Sequence, residues 1–208
     1  MAEIKIQHCP SDHGREIFIW QADESLPELE EMFLREFSET EQTKLPTQPK
    51  RRTEVIVEML LIGRHSDGKL SHDKDGAPYL SGSVRQISIS HCKDLVCICL
   101  SDDSIGVDIE RWSSRAWKIK QRFLSPDELR FVPESGGENT AMLLWCAKEA
   151  AFKYFREPDT AVTQIRLSDF ARNISDSNKF TVTATSTKGR KVKICMKAYD
   201  DFAFAISQ

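Results

Sequence analysis

The sequence predicts an α+β fold, and three observations carry that reading. Strand-like and helix-like runs are interspersed without the regular alternation of a doubly wound sheet. The strand-like runs are short, rich in β-branched and aromatic residues, and roughly period 2. Two stretches of the chain also share a rhythm, as though one α+β unit were written twice.

In chain order, strands are expected at EIFIW (16–20), VRQISIS (84–90), LVCICL (95–100), SIGVDIE (104–110), KFTVTAT (179–185), KVKICMK (191–197) and FAFAIS (202–207). Helices are expected at 26–36, 52–63, 126–132 and 139–155. HCKD joins the second and third strand runs, and LVCICL runs on through two aspartates into SIGVDIE. That spacing predicts a meander of three antiparallel strands. The rhythm repeats where FSETEQ (37–42) lines up with LSPDEL (124–129). Each carries an S-x-x-E capping box, Ser38 with Glu41 and Ser125 with Glu128, and a long apolar helix follows each. Upstream, IFIWQAD (17–23) aligns with SIGVDIE. The chain is therefore expected to form two similar subdomains, residues 1–102 and 103–208, related as a pseudo-dimer. Asp108, Glu110 and Glu149 then align with Gln21, Asp23 and Ile62, so only the second copy carries all the carboxylates.

The 208 residues suffice for one large domain or two small ones. Hydrophobic residues at 40% and charged residues at 29% are ordinary for a globular protein. A net charge of −3 gives no electrostatic ground for nucleic-acid or membrane binding. No run of 18 apolar residues exists and MAEIKIQHCPSD lacks a signal-peptide core, so a cytoplasmic protein is expected. The six cysteines (9, 92, 97, 99, 146 and 195) follow no zinc-ligand spacing and read as reduced, mostly buried small hydrophobes.

Charge appears where an apolar pattern should exclude it. LLWCAKEAAFKYF (143–155) sets Lys148, Glu149 and Lys153 into a helix of Leu, Trp, Ala and Phe. At 3.6 residues per turn, Trp145, Glu149 and Phe152 share a face, and Lys153 lies one turn beyond Glu149. An exposed Glu149–Lys153 pair is worth only about 0.2–0.5 kcal/mol, whereas partly buried charges must be paired or bound to an ion. In SIGVDIE, Asp108 and Glu110 lie about 7 Å apart on one strand face. Such carboxylates can converge on a hard cation of the magnesium type, and Gly106 leaves room for close approach of a ligand or another backbone. Ser90, His91 and Cys92 fall at a strand end, where hydroxyl, imidazole and amides can donate to phosphate oxygens.

Taken together, DGAPYL (75–80), ISHC (89–92), GVDIE (106–110), RFLSPDE (122–128) and WCAKEAAFK (145–153) resemble the 4′-phosphopantetheinyl transferases, most closely the monomeric, two-subdomain type that activates peptide and polyketide synthetases. The resemblance implies a pseudo-dimer with coenzyme A between its halves. It implies transfer of 4′-phosphopantetheine to a serine of an apo carrier protein, with release of adenosine 3′,5′-bisphosphate. Asp108, Glu110 and Glu149 match the family's magnesium-binding acids. Glu149 is also the candidate general base, although metal ligation would lower its basicity. Lys153 matches the lysine that contacts the pyrophosphate, and Asp108 and Lys148 join it among the expected coenzyme A contacts. For Lys148 the resemblance implies presence rather than a role, with either a neighbouring acid or the substrate as its partner. Ser90 and His91 match a pair near the nucleotide phosphates, Arg52 an arginine near the 3′-phosphate, Lys44 a second cation there, and Gly76 and Pro78 the ends of a Gly-Lys-Pro motif. Two positions depart: Ala77 replaces that motif's lysine, and Cys92 replaces the last serine of Ser-His-Ser. An acidic carrier calls for a basic surface, for which KGRKVKICMK (188–197) is a candidate. Two other classes compete. One is a catalytically silent binder of coenzyme A or carrier. The other is an unrelated magnesium-dependent phosphohydrolase, for which no P-loop or clustered histidine ligands appear.

Overall fold

The computed structural model describes residues 2–6, as a backbone strand, and residues 14–208; Cys9 lies outside the described residues. The chain divides into two compact units at Asp103 and Ser104.

The first unit contains β1 (Ala2–Ile6), β2 (Glu16–Gln21), α1 (Leu26–Glu36), α2 (Glu39–Gln42), α3 (Pro49–His65), β3 (Lys69–His72), β4 (Pro78–Ser81), β5 (Gln86–Cys92) and β6 (Leu95–Ser101). Its main sheet is antiparallel in the order β1-β2-β6-β5, and β3 and β4 form a separate hairpin. β6 is buried along its whole length, which explains why its apolar run hardly alternates. Phe18 and Trp20 of β2 and Val96, Ile98 and Leu100 of β6 form a core with Leu29, Phe33, Ile56, Leu60 and Leu61 from α1 and α3. Burial of each large apolar side chain contributes about 1.5–3 kcal/mol.

The second unit contains β7 (Val107–Arg111), α4 (Arg115–Phe123), α5 (Pro126–Leu129), α6 (Glu138–Phe155), a 3-10 turn (Val162–Gln164), β8 (Arg166–Arg172), β9 (Lys179–Thr185), β10 (Lys191–Ala198) and β11 (Phe202–Ser207). Its antiparallel sheet runs β7-β11-β10-β9-β8. Leu143, Leu144, Ala147, Ala150 and Ala151 of α6 pack on Val182, Ile194, Met196, Ala203 and Ala205 of that sheet. β10 alternates in a regular way: Val192, Ile194 and Met196 point in, and Lys191 and Lys193 point to solvent.

From β2 and from β7 onward, the two units repeat one order: strand, three helices, four strands. In each, the first strand pairs antiparallel with the last, and the last with the one before it. Both capping boxes form. Glu41 accepts from Ser38 N at 3.0 Å and Ser38 Oγ at 2.9 Å. Glu128 accepts from Ser125 N at 2.6 Å, while its own N–H donates to Ser125 Oγ at 3.4 Å.

The three-strand meander does not form. β5 and β6 make a hairpin, but β7 belongs to the other sheet, where it pairs with β11 from Phe202↔Arg111 to Ile206↔Val107. DDSIG (102–106) between β6 and β7 is a connection between units, not a hairpin turn. Boundaries also shift. The strand expected from 104 begins at Val107, the helix expected from 52 begins at Pro49, where proline suits the first turn, and the helix expected over 126–132 is a single turn.

Candidate active site

β7 is the platform. Its Asp108 and Glu110 lie opposite Ala205 and Ala203 of β11, partners too small to cover a carboxylate. α6 runs against β7 at a distance only glycine permits. A Cβ on Gly106 would lie 1.9 Å from Ala150 O and 2.7 Å from Tyr154 N. The close approach is therefore to another backbone, and it brings Glu149 and Lys153 beside the strand acids.

Lys153 Nζ donates to Asp108 Oδ1 at 2.8 Å and to Val107 O at 3.0 Å. Asp108 is buried, and the wholly buried Cys146 thiol hydrogen-bonds to it. Burial, helped by Asp108 and Glu110, pushes that thiol well above its usual pKa. Burial also raises the Glu149 carboxyl to about 7; Asp108 and Glu110 add to the rise and Lys153 opposes it. A group near 7 is half-protonated at neutral pH, which suits proton transfer. Beside the acids lies a pocket lined by Glu110, Arg115, Ile119, Met142 and Trp145, among others. Its indole meets Phe123 edge-on at 5.1 Å.

Magnesium chemistry fits this donor set. Asp108, Glu110 and Glu149 are hard oxygen donors whose mutual repulsion is felt in the raised Glu149, and one ammonium faces three carboxylates. The ready-made geometry is absent: among the described residues no three His, Cys, Asp or Glu side chains stand as a group that could hold a metal ion. One oxygen of Asp108 is taken by the Lys153 ammonium.

Lys148 corrects an expectation. It is expected among the coenzyme A contacts, with an acid or the substrate as its partner, but it is 0% exposed. Nζ donates to Glu128 at 3.0 Å and to Ile165 O at 2.6 Å. Glu128 also accepts from Leu167 N at 2.7 Å. The capping-box acid is thus the counter-ion of Lys148, which lies buried between α5, α6 and the start of β8.

The remaining expected residues belong to the first unit. Lys44 is exposed just after α2. Arg52 turns to Glu30 and, at 3.2 Å, to Pro46 O. Gly76 has φ +83° in a turn where Asp73 Oδ1 accepts from Asp75 N and Ala77 N at 2.9 Å, and Pro78 opens β4. Ser90 is buried and His91 exposed at the end of β5. His91 meets Arg51, not Arg52: Arg51 Nη1 lies 3.0 Å from His91 Nε2. Sequence reasoning missed Arg51, Glu54 and Glu58. The signal was present in RTEVIVEMLLIG, where two acids one turn apart interrupt an apolar helix much as in α6.

Among the described residues no helix is long and apolar enough to cross a membrane. No curated protein matches the chain. A family model described as the 4′-phosphopantetheinyl transferase superfamily matches residues 104–207, half of the chain and the whole of the β7–α6 site.

Proposed function

From a chain that belongs to the 4′-phosphopantetheinyl transferase superfamily, we propose an enzyme that moves 4′-phosphopantetheine from coenzyme A to a serine of an apo acyl or peptidyl carrier protein. One observation carries the reading. Asp108, Glu149 and Lys153 stand in mutual electrostatic contact inside the segment that matches the family, with Glu110 adding to the field on Glu149.

In this reading the carrier serine Oγ bonds to the β-phosphorus of the coenzyme A pyrophosphate. The P–O bond to the leaving adenosine 3′,5′-bisphosphate breaks. Glu149 takes the hydroxyl proton, directly or through a water. Lys153 sits where an ammonium can follow the charge that builds on the pyrophosphate oxygens. Asp108, Glu110 and Glu149 would hold a magnesium ion, which supplies neutralisation of the pyrophosphate charge when bound. The repeated element order of the two units supports a chain of the two-subdomain type. The outward lysines of β10, Lys191 and Lys193, are offered to an acidic carrier. A cytoplasmic location suits this chemistry, because coenzyme A and apo carriers meet there.

The test is the intact mass of an apo acyl carrier protein after incubation with the protein, coenzyme A and magnesium, with Glu149→Gln in parallel. A gain of one phosphopantetheine, lost with the variant and with chelator, is expected. Ala77, standing in place of the family lysine, favours a second reading, a silent coenzyme A or carrier binder. That reading replaces the first if several carriers gain no mass while coenzyme A still binds.

A further inference from the structure

Two contacts fix how α6 lies along β7. At one end Gly106 abuts the backbone of Ala150 and Tyr154. At the other, Glu110 lines a pocket with Met142 and Trp145. Strand and helix therefore run in opposite directions. A strand advances about 3.3 Å per residue and a helix about 1.5 Å. The two steps from Gly106 to Asp108 match roughly four steps back along α6 from Ala150, which sets Asp108 opposite Cys146. Lys153 approaches from the other side. It lies two turns beyond Cys146 on nearly the same face, and helical side chains lean toward the N-terminus. Its ammonium reaches back to Asp108 Oδ1 at 2.8 Å.

Cys146 is thus more than the small hydrophobe that its apolar surroundings suggest. It is 0% exposed, Asp108 is 5% exposed, and the thiol hydrogen-bonds to the carboxylate. A thiol is a weak donor, but here its acceptor is charged and both groups are out of water, where such a bond is strengthened. Ala147 and Ala150, the short side chains beside it on α6, have no hydrogen to donate. Across the ladder Asp108 faces Ala205, whose methyl group has none either. The strand itself is held separately: Gly106 N donates to Ser207 Oγ at 2.9 Å, and Ser207 N donates to Gly106 O at 3.0 Å. What the thiol acts on is the carboxylate, not the course of β7.

We propose that Cys146 is a positioning residue: its thiol and the Lys153 ammonium grip Asp108 from two sides, and the thiol holds the carboxylate in the orientation that accepts a divalent cation. The inference rests on the reading of Asp108 as a magnesium ligand in the transferase proposed above. It gives a function to a cysteine that neither binds metal nor touches substrate. Donors that orient a metal ligand from behind commonly set affinity by about 10–100-fold, and a weak donor belongs at the lower end.

The test is calorimetric titration of the chelator-treated full chain with magnesium alone, in the wild type, Cys146→Ala, Cys146→Ser and Cys97→Ala. Cys146→Ala should weaken magnesium by about tenfold. Cys146→Ser, which keeps a donor in place, should stay within about threefold of the wild type. Cys97 is equally buried, and its Sγ donates to Ile98 O at 3.9 Å. Cys97→Ala should therefore lower the melting temperature as Cys146→Ala does and leave magnesium affinity unchanged. A merely structural role would move melting temperature alone. A second readout needs neither metal nor activity: the infrared S–H stretching band that vanishes in Cys146→Ser. It should move to higher frequency in Asp108→Asn, whose neutral amide is the weaker acceptor. Unchanged affinity in Cys146→Ala, equal loss in the alanine and serine variants, or equal loss in Cys97→Ala overturns the inference. So does an S–H band that Asp108→Asn leaves in place. A wild type that takes up no magnesium defeats the metal reading and the inference with it, an outcome distinct from the others because it is seen before any variant is made.

Discussion

At the scale of single residues, the site is a balance of charges held by burial. Glu149 titrates near 7 because it is half-buried beside Asp108 and Glu110, with Lys153 supplying partial relief. The consequence for stability has a definite sign. Between the usual glutamate range near 4.5 and about 7, the folded chain binds the Glu149 proton more tightly than the unfolded chain does. That contribution is fully present below about 4.5 and is lost as pH rises through about 7. In chelator, the melting temperature should therefore fall across this window, by an amount corresponding to about 1–3 kcal/mol. Glu149→Gln should flatten that part of the profile, and magnesium should restore the wild type at pH 7.5. A profile identical in wild type and variant would remove Glu149 from the charge balance. The same scale explains what the sequence concealed about Lys148. α6 is apolar nearly all the way round, so a helical wheel cannot say which side faces the core or that Lys148 lies on it.

At the scale of elements, two contacts fix α6, and each makes a measurable claim. Lys148 and Glu128 join α6 to α5 and, through Ile165 O and Leu167 N, to the start of β8. Lys148→Ala leaves the Glu128 carboxylate buried without its ammonium and should cost about 3–5 kcal/mol. Lys148→Met combined with Glu128→Gln should cost much less, so chemical denaturation of the single and double variants separates charge from packing. Gly106 is the second contact. Gly106→Ala drives a methyl group into Ala150 O and should destabilise by about 3 kcal/mol or more. Because the strand must then move off the helix, magnesium affinity should fall with it. A Gly106→Ala protein of unchanged stability would show that the helix yields at no cost. Local elements were legible where their signals are local: the capping boxes at Ser38 and Ser125 were read correctly from four residues each. α4 escaped notice because RAWKIKQRF is mostly polar and buries only Ala116 and Phe123. β8 escaped because, of RLSDFAR, only Leu167 is buried.

At the scale of the whole molecule, the sequence disclosed the repeat but not the pairing. Alternation along LVCICL and SIGVDIE says that each is a strand. It does not say that the second finds its partner in FAFAIS, far along the chain. The acids of the site were legible because charge stands out against an apolar pattern. The cluster of Arg51 with Glu54, Glu58 and His91 was not, because Arg51 and Arg52 differ only in which way the helix turns them. That long-range pairing has a further consequence, which concerns the order of biosynthesis. The first unit closes its sheet once Ser101 has been made, whereas β7 waits for β11. The strand that bears Asp108 and Glu110 therefore leaves the ribosome with an open edge and stays so until the helices and four more strands have followed. A chain stopped at Asp201 should keep the first sheet but aggregate through β7, which pelleting of stalled nascent chains would detect. A soluble, folded truncation would show that β7 can do without its ladder. Translation thus assembles the first unit early and leaves the acid-bearing edge of β7 a vulnerable, late-maturing surface.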